Sequence, residues 1–115
     1  MSDSILTSIK KLLGIEESYT VFDQDIITHI NSVFMILSQL GVGPSGGFSI
    51  TNDTETWTDY LGADSPNLNS VRSYVYLKVR LLFDPPTSSA AIESINKLIA
   101  EFEWRLNVQV DPPTE

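Results

Sequence analysis

The chain has 115 residues, of which 42% are hydrophobic and 19% charged, and this composition predicts one globular domain with a modest core. The net charge of -8 disfavours tight binding to nucleic acid or to anionic membrane surfaces, because affinity for phosphate depends mainly on Lys and Arg. The absence of cysteine excludes disulfides, thiolate metal sites and thiol catalysis. No apolar run is long enough to span a bilayer, and the N-terminus does not read as a secretory signal.

Two amphipathic helices are predicted in the first 40 residues. The first covers residues 4–13, has apolar residues at helical spacing and ends at Gly14. The second begins at an N-cap, Asp23, and runs to Leu40, with a broad apolar face. The members of that face are Ile26, Ile27, Ile30, Val33, Phe34, Ile36, Leu37 and Leu40. Gly41 is expected to end this helix with a positive φ.

The loop that follows, residues 41–46, spells G-x-G-x-x-G, which is a pattern associated with dinucleotide phosphates. That pattern binds phosphate only when it follows a strand and opens a helix, whereas here it follows a helix. Pro44 and Gly47 also disfavour a new helix directly after it. We interpret it as a capped turn and loop, and we expect no cofactor.

Three further helices are predicted downstream. After a short extended segment with Phe48 and Ile50 on one side, a short helix is capped by Asp53 or Thr54 and ends at Gly62. The fourth helix starts at Ser65-Pro66 and stops at Phe83, before Asp84-Pro85-Pro86. The fifth is capped by Thr87 or Ser88 and runs to Asn107. Residues 108–115, which include Val108 and Val110, are expected to form an extended arm beside a domain of residues 1–107.

No set of residues points to catalysis or metal binding. His29 is the only histidine, lies at the edge of the second helix's apolar face and has no evident partner, so we interpret it as a packed or rim residue. Carboxylates recur in pairs, such as Glu16-Glu17 and Glu101/Glu103, but no motif places two of them across a cleft. They are interpreted as helix caps and solvated faces.

The fourth helix is apolar on two sides. One stripe contains Leu68, Val71, Val75, Val79 and Leu82, and the other contains Tyr74, Leu77 and Leu81. Arg72, Tyr76 and Arg80 lie between the stripes at spacings of four residues. Such a helix is either buried at the centre of the core or packs its second stripe on a neighbouring subunit. The two arginines are expected to meet carboxylates within or between subunits.

Trp104 stands apart from the apolar stripe of the fifth helix. That stripe consists of Ala91, Ile92, Ile95, Leu98, Ile99, Phe102 and Leu106. Trp104 falls on the opposite side, beside Lys97 and Ala100, where it is either an interface residue or is covered by a loop of its own chain.

The ordered segments "SQLGVG", "TWTDYLG", "YVYLKVRLLFDPP" and "EWRLNV" resemble the phage head–tail connector proteins, the gp6-like adaptor or head-completion family. The resemblance implies an all-α bundle of four to five helices, with no active site. It also implies a ring of identical subunits beneath the portal in the virion neck, assembled in the host cytoplasm. Its partners would be the portal and a downstream stopper or tail protein, while DNA passes through the channel without specific binding. The alternative is a monomeric regulatory or scaffolding protein that binds one partner through the Trp104 face.

Overall fold

The structure, a computed structural model, describes residues 4–44, 46–62 and 67–110, and for residues 108–110 it describes the backbone alone. These ranges contain five helices and no strand. The helices are α1 (Ile5–Leu13), α2 (Asp23–Gln39), α3 (Trp57–Leu61), α4 (Leu68–Phe83) and α5 (Ser89–Val110). The predicted all-α class is confirmed.

Helix α4 lies at the centre of the bundle. It packs against α2, α5 and α1, and α1 also packs against α2. Both of its apolar stripes contribute to the core, because Val75 and Val79 are fully buried on one side and Tyr74 on the other. This supports the interpretation of α4 as a central core helix. Leu82 departs from its predicted place in the core, since it is 54% exposed where a groove opens between α2 and α4.

Glycines end the first two helices in the predicted way. Gly14 and Gly41 have φ values of 83° and 89°. At the end of α2 the amide of Gly41 donates to the carbonyl of Ser38, and the amide of Val42 donates to that of Leu37. This pair of hydrogen bonds is a Schellman motif, which satisfies carbonyls that the helix end would leave unpaired.

Asp23 does not cap α2 as predicted. The N-cap position is Phe22, Asp23 is the first helical residue, and its carboxylate lies 2.8 Å from the Nζ atom of Lys10. The ammonium of Lys10 competes for this carboxylate more strongly than the free amides of the helix, because both partners are charged.

Residues 48–61 cover one end of the bundle without forming a strand. The side chain of Asn31 makes two hydrogen bonds to the backbone of Ile50, of the kind that a neighbouring strand would make. It accepts from the amide of Ile50 at 2.8 Å and donates to its carbonyl at 3.0 Å. Ile50 is buried, and Phe48 is partly buried against the core. The indole of Trp57 is also buried, and its Nε1 donates to the hydroxyl of Ser8 on α1 at 2.8 Å.

The predicted N-cap of α3, Asp53 or Thr54, was wrong. Thr56 is the N-cap, and it forms a capping box in which its hydroxyl accepts from the amide of Asp59 while the Asp59 carboxylate accepts from the amide of Thr56. The amide of Thr54 is taken by the side chain of Asn52, which closes a separate turn before the helix begins.

The predicted end of α4 and the predicted cap of α5 are confirmed, whereas the predicted end of α5 is wrong. α4 ends at Phe83, as expected, while its predicted start at Ser65-Pro66 lies outside the described residues. The hydroxyl of Ser88 accepts from the amide of Ala91, so Ser88 caps α5. α5 continues to Val110 rather than ending at Asn107, because no helix-breaking residue occurs before Asp111-Pro112. The arm thus remains a prediction for residues 111–115, which lie outside the described ranges.

No helix within the described residues is long and apolar enough to cross a membrane.

Candidate interaction surface

Three of the carboxylates that could have suggested catalysis, those of Glu55, Glu101 and Glu103, have local structural partners. The carboxylate of Glu103 accepts a hydrogen bond from the hydroxyl of Tyr74 at 2.7 Å, and Glu101 pairs with Arg105 one turn away. The carboxylate of Glu55 accepts hydrogen bonds from Thr51 and Asn52. Burial works against ionisation of Glu55, but these hydrogen bonds outweigh it and lower the pKa of its carboxyl group. Among the described residues no three His, Asp or Glu side chains are grouped so as to hold a metal ion.

His29 is half-buried at the rim of the core, as predicted. Its ring lies 6.5 Å from that of Phe83 in an edge-to-face arrangement, and it borders the groove between α2 and α4. This packing gives the imidazole a structural role.

The G-x-G-x-x-G loop follows α2, and the next helix, α3, begins only at Trp57. Gly43 has a φ of 89°, and a Cβ atom at this position would lie 2.6 Å from Cε1 of Tyr60. Tyr60 is 3% exposed, and burial raises the pKa of its hydroxyl well above the ordinary value. The glycine at position 43 is therefore explained by the close approach of the loop to a buried aromatic ring.

Trp104 is 68% exposed on the outer face of α5. Lys97 and Ala100, which precede it by two turns and one turn, are exposed on the same face. No loop within the described ranges buries the indole. Large exposed aromatic residues are unfavourable in an isolated monomer and are enriched at the centres of protein interfaces. The geometry thus agrees with an interface role for Trp104, which remains a prediction.

Arg72 and Arg80 make aromatic contacts instead of ion pairs within the described part of the chain. The guanidinium of Arg72 lies over the ring of Trp57, 5.8 Å from its centroid. Arg80 donates to the hydroxyl of Tyr76 at 3.2 Å. The Nε atoms of both arginines are buried and have no hydrogen-bond partner in this structure. The carboxylates that were expected to neutralise them are not supplied by the described residues.

The remaining predicted interface residues are Leu77, Leu81, Val108 and Val110. Leu77 and Leu81 are half-buried and pack against the core, so part of each side chain is available to a neighbour. Val108 and Val110 belong to the last turns of α5. Their role in an interface stays a prediction.

One buried ammonium was missed in the sequence. Lys10 is 2% exposed, and its Nζ donates to the carbonyl oxygens of Glu17 and Tyr19 at 3.0 and 2.8 Å while facing the carboxylate of Asp23. It therefore fastens the connecting segment 15–22 onto the end of α1. The sequence pattern of α1 could not reveal this, because the oxygen atoms come from a segment without periodicity.

The sequence analysis also missed an apolar surface at the corner between α1 and α2. It consists of Tyr19, Val21 and Phe22, which are 48%, 70% and 38% exposed, and we call it the corner surface. Tyr19 contacts Phe22, and Phe22 contacts Phe83, with ring centroids 5.8 and 5.3 Å apart. The available signal was the run "YTVF", three large apolar residues within a segment that has no helical pattern.

The subunit is all-α and exposes large apolar side chains on separate surfaces, and its described residues contain no catalytic or metal-binding set. This combination is typical of a structural assembly protein. A family model described as phage connector protein matches residues 5–113, and the chain therefore belongs to the phage connector protein family. The match confirms the resemblance to head–tail connectors and supports a structural connector role in the virion, in contact with other head or tail proteins. Neither curated proteins nor solved structures gave a match.

Proposed function

We propose that this connector assembles as a ring beneath the portal, extends the DNA channel and forms the docking platform for the next stopper or tail component. The observation that carries the proposal, given the family, is the 68% exposed indole of Trp104 on the longest helix. The apolar stripe of α5 buries Ile99 and Leu106 without it, so the indole is not needed to close the core. It is available for a neighbouring subunit or the portal.

The arginines of α4 provide a second contact in this proposal. Arg72 and Arg80 are two of only seven Lys and Arg residues in a chain that has fifteen Asp and Glu residues. Their buried Nε atoms have no hydrogen-bond partner within the described residues, which is a costly state for a charged group. A carboxylate from another subunit or from the portal would pair with the accessible part of each guanidinium group, since both arginines are only half-buried. In the assembled ring these side chains are interface residues.

The acidic net charge of the subunit favours a role as the wall of a channel for DNA. A net charge of -8 repels phosphate, so genomic DNA can move through a channel lined by such subunits without being retained. The proposed role requires no cofactor and no catalytic step.

The test is to mix the purified chain with the portal protein encoded in the same phage genome and to image the mixture by electron microscopy. The proposal predicts an additional ring of density on one face of the portal, with the rotational symmetry of a closed assembly. Trp104→Ala is expected to reduce ring occupancy, while Asn96→Ala, an exposed substitution on the same helix, should leave it unchanged. Binding of single copies at irregular positions would contradict the ring and favour a one-partner scaffolding protein.

A further inference from the structure

One face of α4 carries two arginines and is open to solvent. At about 100° per residue, Asn69, Arg72, Tyr76 and Arg80 fall within one arc of this helix. Asn69 is exposed and the other three side chains are half-buried. We call these four residues the arginine stripe.

The described residues supply no carboxylate to the arginine stripe. Arg72 lies over the ring of Trp57 and Arg80 donates to Tyr76, and neither guanidinium forms an ion pair within the described ranges. Helix α1, which packs on α4, has no acidic residue and carries the exposed Lys11. The stripe is therefore a positive surface on a subunit whose net charge is -8.

Carboxylates of α5 that lie near α4 are bonded elsewhere. The part of α5 opposite Tyr74 contains Glu101 and Glu103. Glu103 accepts from Tyr74, and Glu101 pairs with Arg105 on its own helix. The partner of the stripe must therefore come from outside the described part of the subunit.

The segment that follows α5 is acidic and rich in proline. Residues 111–115 read DPPTE and lie outside the described ranges. Two carboxylates, those of Asp111 and Glu115, flank this segment. Consecutive prolines favour the polyproline II conformation, in which four residues span about 12 Å.

The spacing of the stripe agrees with that of the segment. Arg72 and Arg80 are eight residues apart on an α-helix, a separation of about 12 Å, and Tyr76 lies halfway between them. A DPPTE segment laid along the stripe therefore brings a carboxylate to each guanidinium and a proline ring to Tyr76. Aromatic side chains commonly receive polyproline segments, which lose little conformational entropy on binding.

The course of α5 directs this segment away from the stripe of its own subunit. α5 returns along α4, and because Glu103 accepts from Tyr74, Val110 lies about 10 Å further towards the N-terminal end of α4. Arg80 lies in the other direction, about 9 Å beyond Tyr74. Pro112 also restricts the residue before it to extended conformations, which opposes a reversal at this point. A stripe that the segment can follow over its whole length is that of another subunit.

We propose that residues 111–115 of one subunit bind the arginine stripe of a second copy of this chain, with Asp111 and Glu115 paired to the two guanidinium groups. The inference rests on the proposed ring, in which it gives the arginines of α4 their partner. The contact can nevertheless be measured without the portal. Ion pairs at partly exposed positions are weak, so the contact is weak between free subunits and gains strength from repetition around a ring.

Nuclear magnetic resonance of the full-length chain tests the contact. An isotope-labelled chain with the substitutions Asp111→Asn and Glu115→Gln is mixed with the unlabelled wild-type chain. We expect the Nε–H signals of Arg72 and Arg80 to shift, whereas the signal of Arg105, which has a partner on its own helix, stays in place. The unlabelled chain with the same two substitutions is the matched control. It should bind on the order of tenfold more weakly, because both charge pairs are lost.

Two results of this titration would overturn the proposal. The first is no shift of the arginine signals at millimolar concentrations, or an equal shift with the control chain. The second is a difference between the labelled wild-type and labelled substituted chains that persists unchanged on dilution, since this would place the segment on the stripe of its own subunit.

Cross-linking on the portal tests the same contact in the ring. Because the chain has no cysteine, a Thr114→Cys chain and an Asn69→Cys chain form a 69–114 link only between subunits. With a short bismaleimide, we expect this product to be on the order of tenfold more abundant than the 35–114 product of a control pair. The control replaces Asn69→Cys by Met35→Cys, which is 63% exposed on α2. Equal yields from the two pairs would contradict the contact.

The outcome for the ring itself is separate. Wild-type rings on the portal, without the shift of the arginine signals and without the 69–114 link, would leave the proposed function standing and refute the contact. A shift in the titration without rings on the portal would support the contact and refute the ring.

Discussion

The Nζ atom of Lys10 lies 2.8 Å from Oδ1 of Asp23, so that the end of α1 and the beginning of α2 are joined by a buried ammonium. The same ammonium holds two carbonyl oxygens of the segment between the helices. Because that segment carries Tyr19, Val21 and Phe22, the position of the corner surface depends on this contact.

Replacing Lys10 with Ala is expected to lower the free energy of unfolding by about 2–4 kcal/mol, since it leaves the Asp23 carboxylate and two carbonyls without their partner. Lys11→Ala removes the same side chain at an exposed neighbouring position and should change the free energy by less than about 0.5 kcal/mol. Urea denaturation followed by circular dichroism measures both. Equal effects of the two substitutions would contradict a structural role for Lys10.

The two tryptophans form a matched pair for testing the core. Trp57→Ala removes a buried indole that donates to Ser8, and it should cost about 3–5 kcal/mol of stability. Trp104→Ala removes an exposed indole and should change monomer stability by less than about 0.5 kcal/mol while weakening ring formation or portal docking. Thermal melts and portal binding are the measurements. A loss of about 3 kcal/mol or more in Trp104→Ala would place that residue in the core instead.

Gly43→Ala is expected to destabilise the fold for two reasons. It strains a positive φ, which costs about 1–2 kcal/mol, and it places a methyl group against the buried ring of Tyr60, which adds about 1–3 kcal/mol. Gly14→Ala has a positive φ but open space around the new Cβ, so it should show the strain alone. Chemical denaturation of both variants separates the two costs. A smaller loss for Gly43→Ala than for Gly14→Ala would contradict the close approach to Tyr60.

Alkaline pH should unfold the protein through two buried tyrosines. Burial raises the pKa of Tyr60, and burial with the hydrogen bond and charge of Glu103 raises that of Tyr74. Both hydroxyls stay protonated in the folded state above about pH 10, the ordinary value, where the unfolded chain releases its protons. Stability is therefore complete below that pH and falls as the pH rises above it.

We expect a step in the near-ultraviolet absorbance of tyrosinate that coincides with loss of the helical circular dichroism signal. Tyr60→Phe and Tyr74→Phe should each remove part of this step. A titration in which all four tyrosines ionise before the helical signal changes would contradict the burial of these hydroxyls.

The isolated chain should not retain duplex DNA in a gel-shift assay near physiological salt, because its net charge of -8 opposes phosphate binding. A basic DNA-binding protein of similar size serves as the positive control. Clear retention of DNA at moderate salt would count against a channel wall that lets DNA slide.

Local patterns in the sequence were sufficient for the fold class and for most helix ends. Gly14, Gly41 and the Asp84-Pro85-Pro86 segment act within one or two turns of the helices that they end, so their effect can be read without knowing the tertiary structure. The place of Trp104 outside the apolar stripe of α5 was also predictable, whereas only the structure showed that no loop of the described residues covers the indole. The ordered motifs indicated the connector family, which the match over residues 5–113 confirms.

Tertiary structure decided which groups meet across long distances in the chain. Asp23 reads as a cap in sequence, yet its carboxylate belongs to Lys10, because charge and burial outweigh the preference of a single helix terminus. Leu82 fits an apolar stripe, yet it remains exposed because α2 and α4 leave a groove beside it. The corner surface arises in the same way: Tyr19 and Phe22 lie in a segment without periodicity, and only packing against Phe83 of α4 makes them one apolar area. Periodicity reports which face of one helix is apolar, whereas the surface available to a neighbour depends on how several helices pack together.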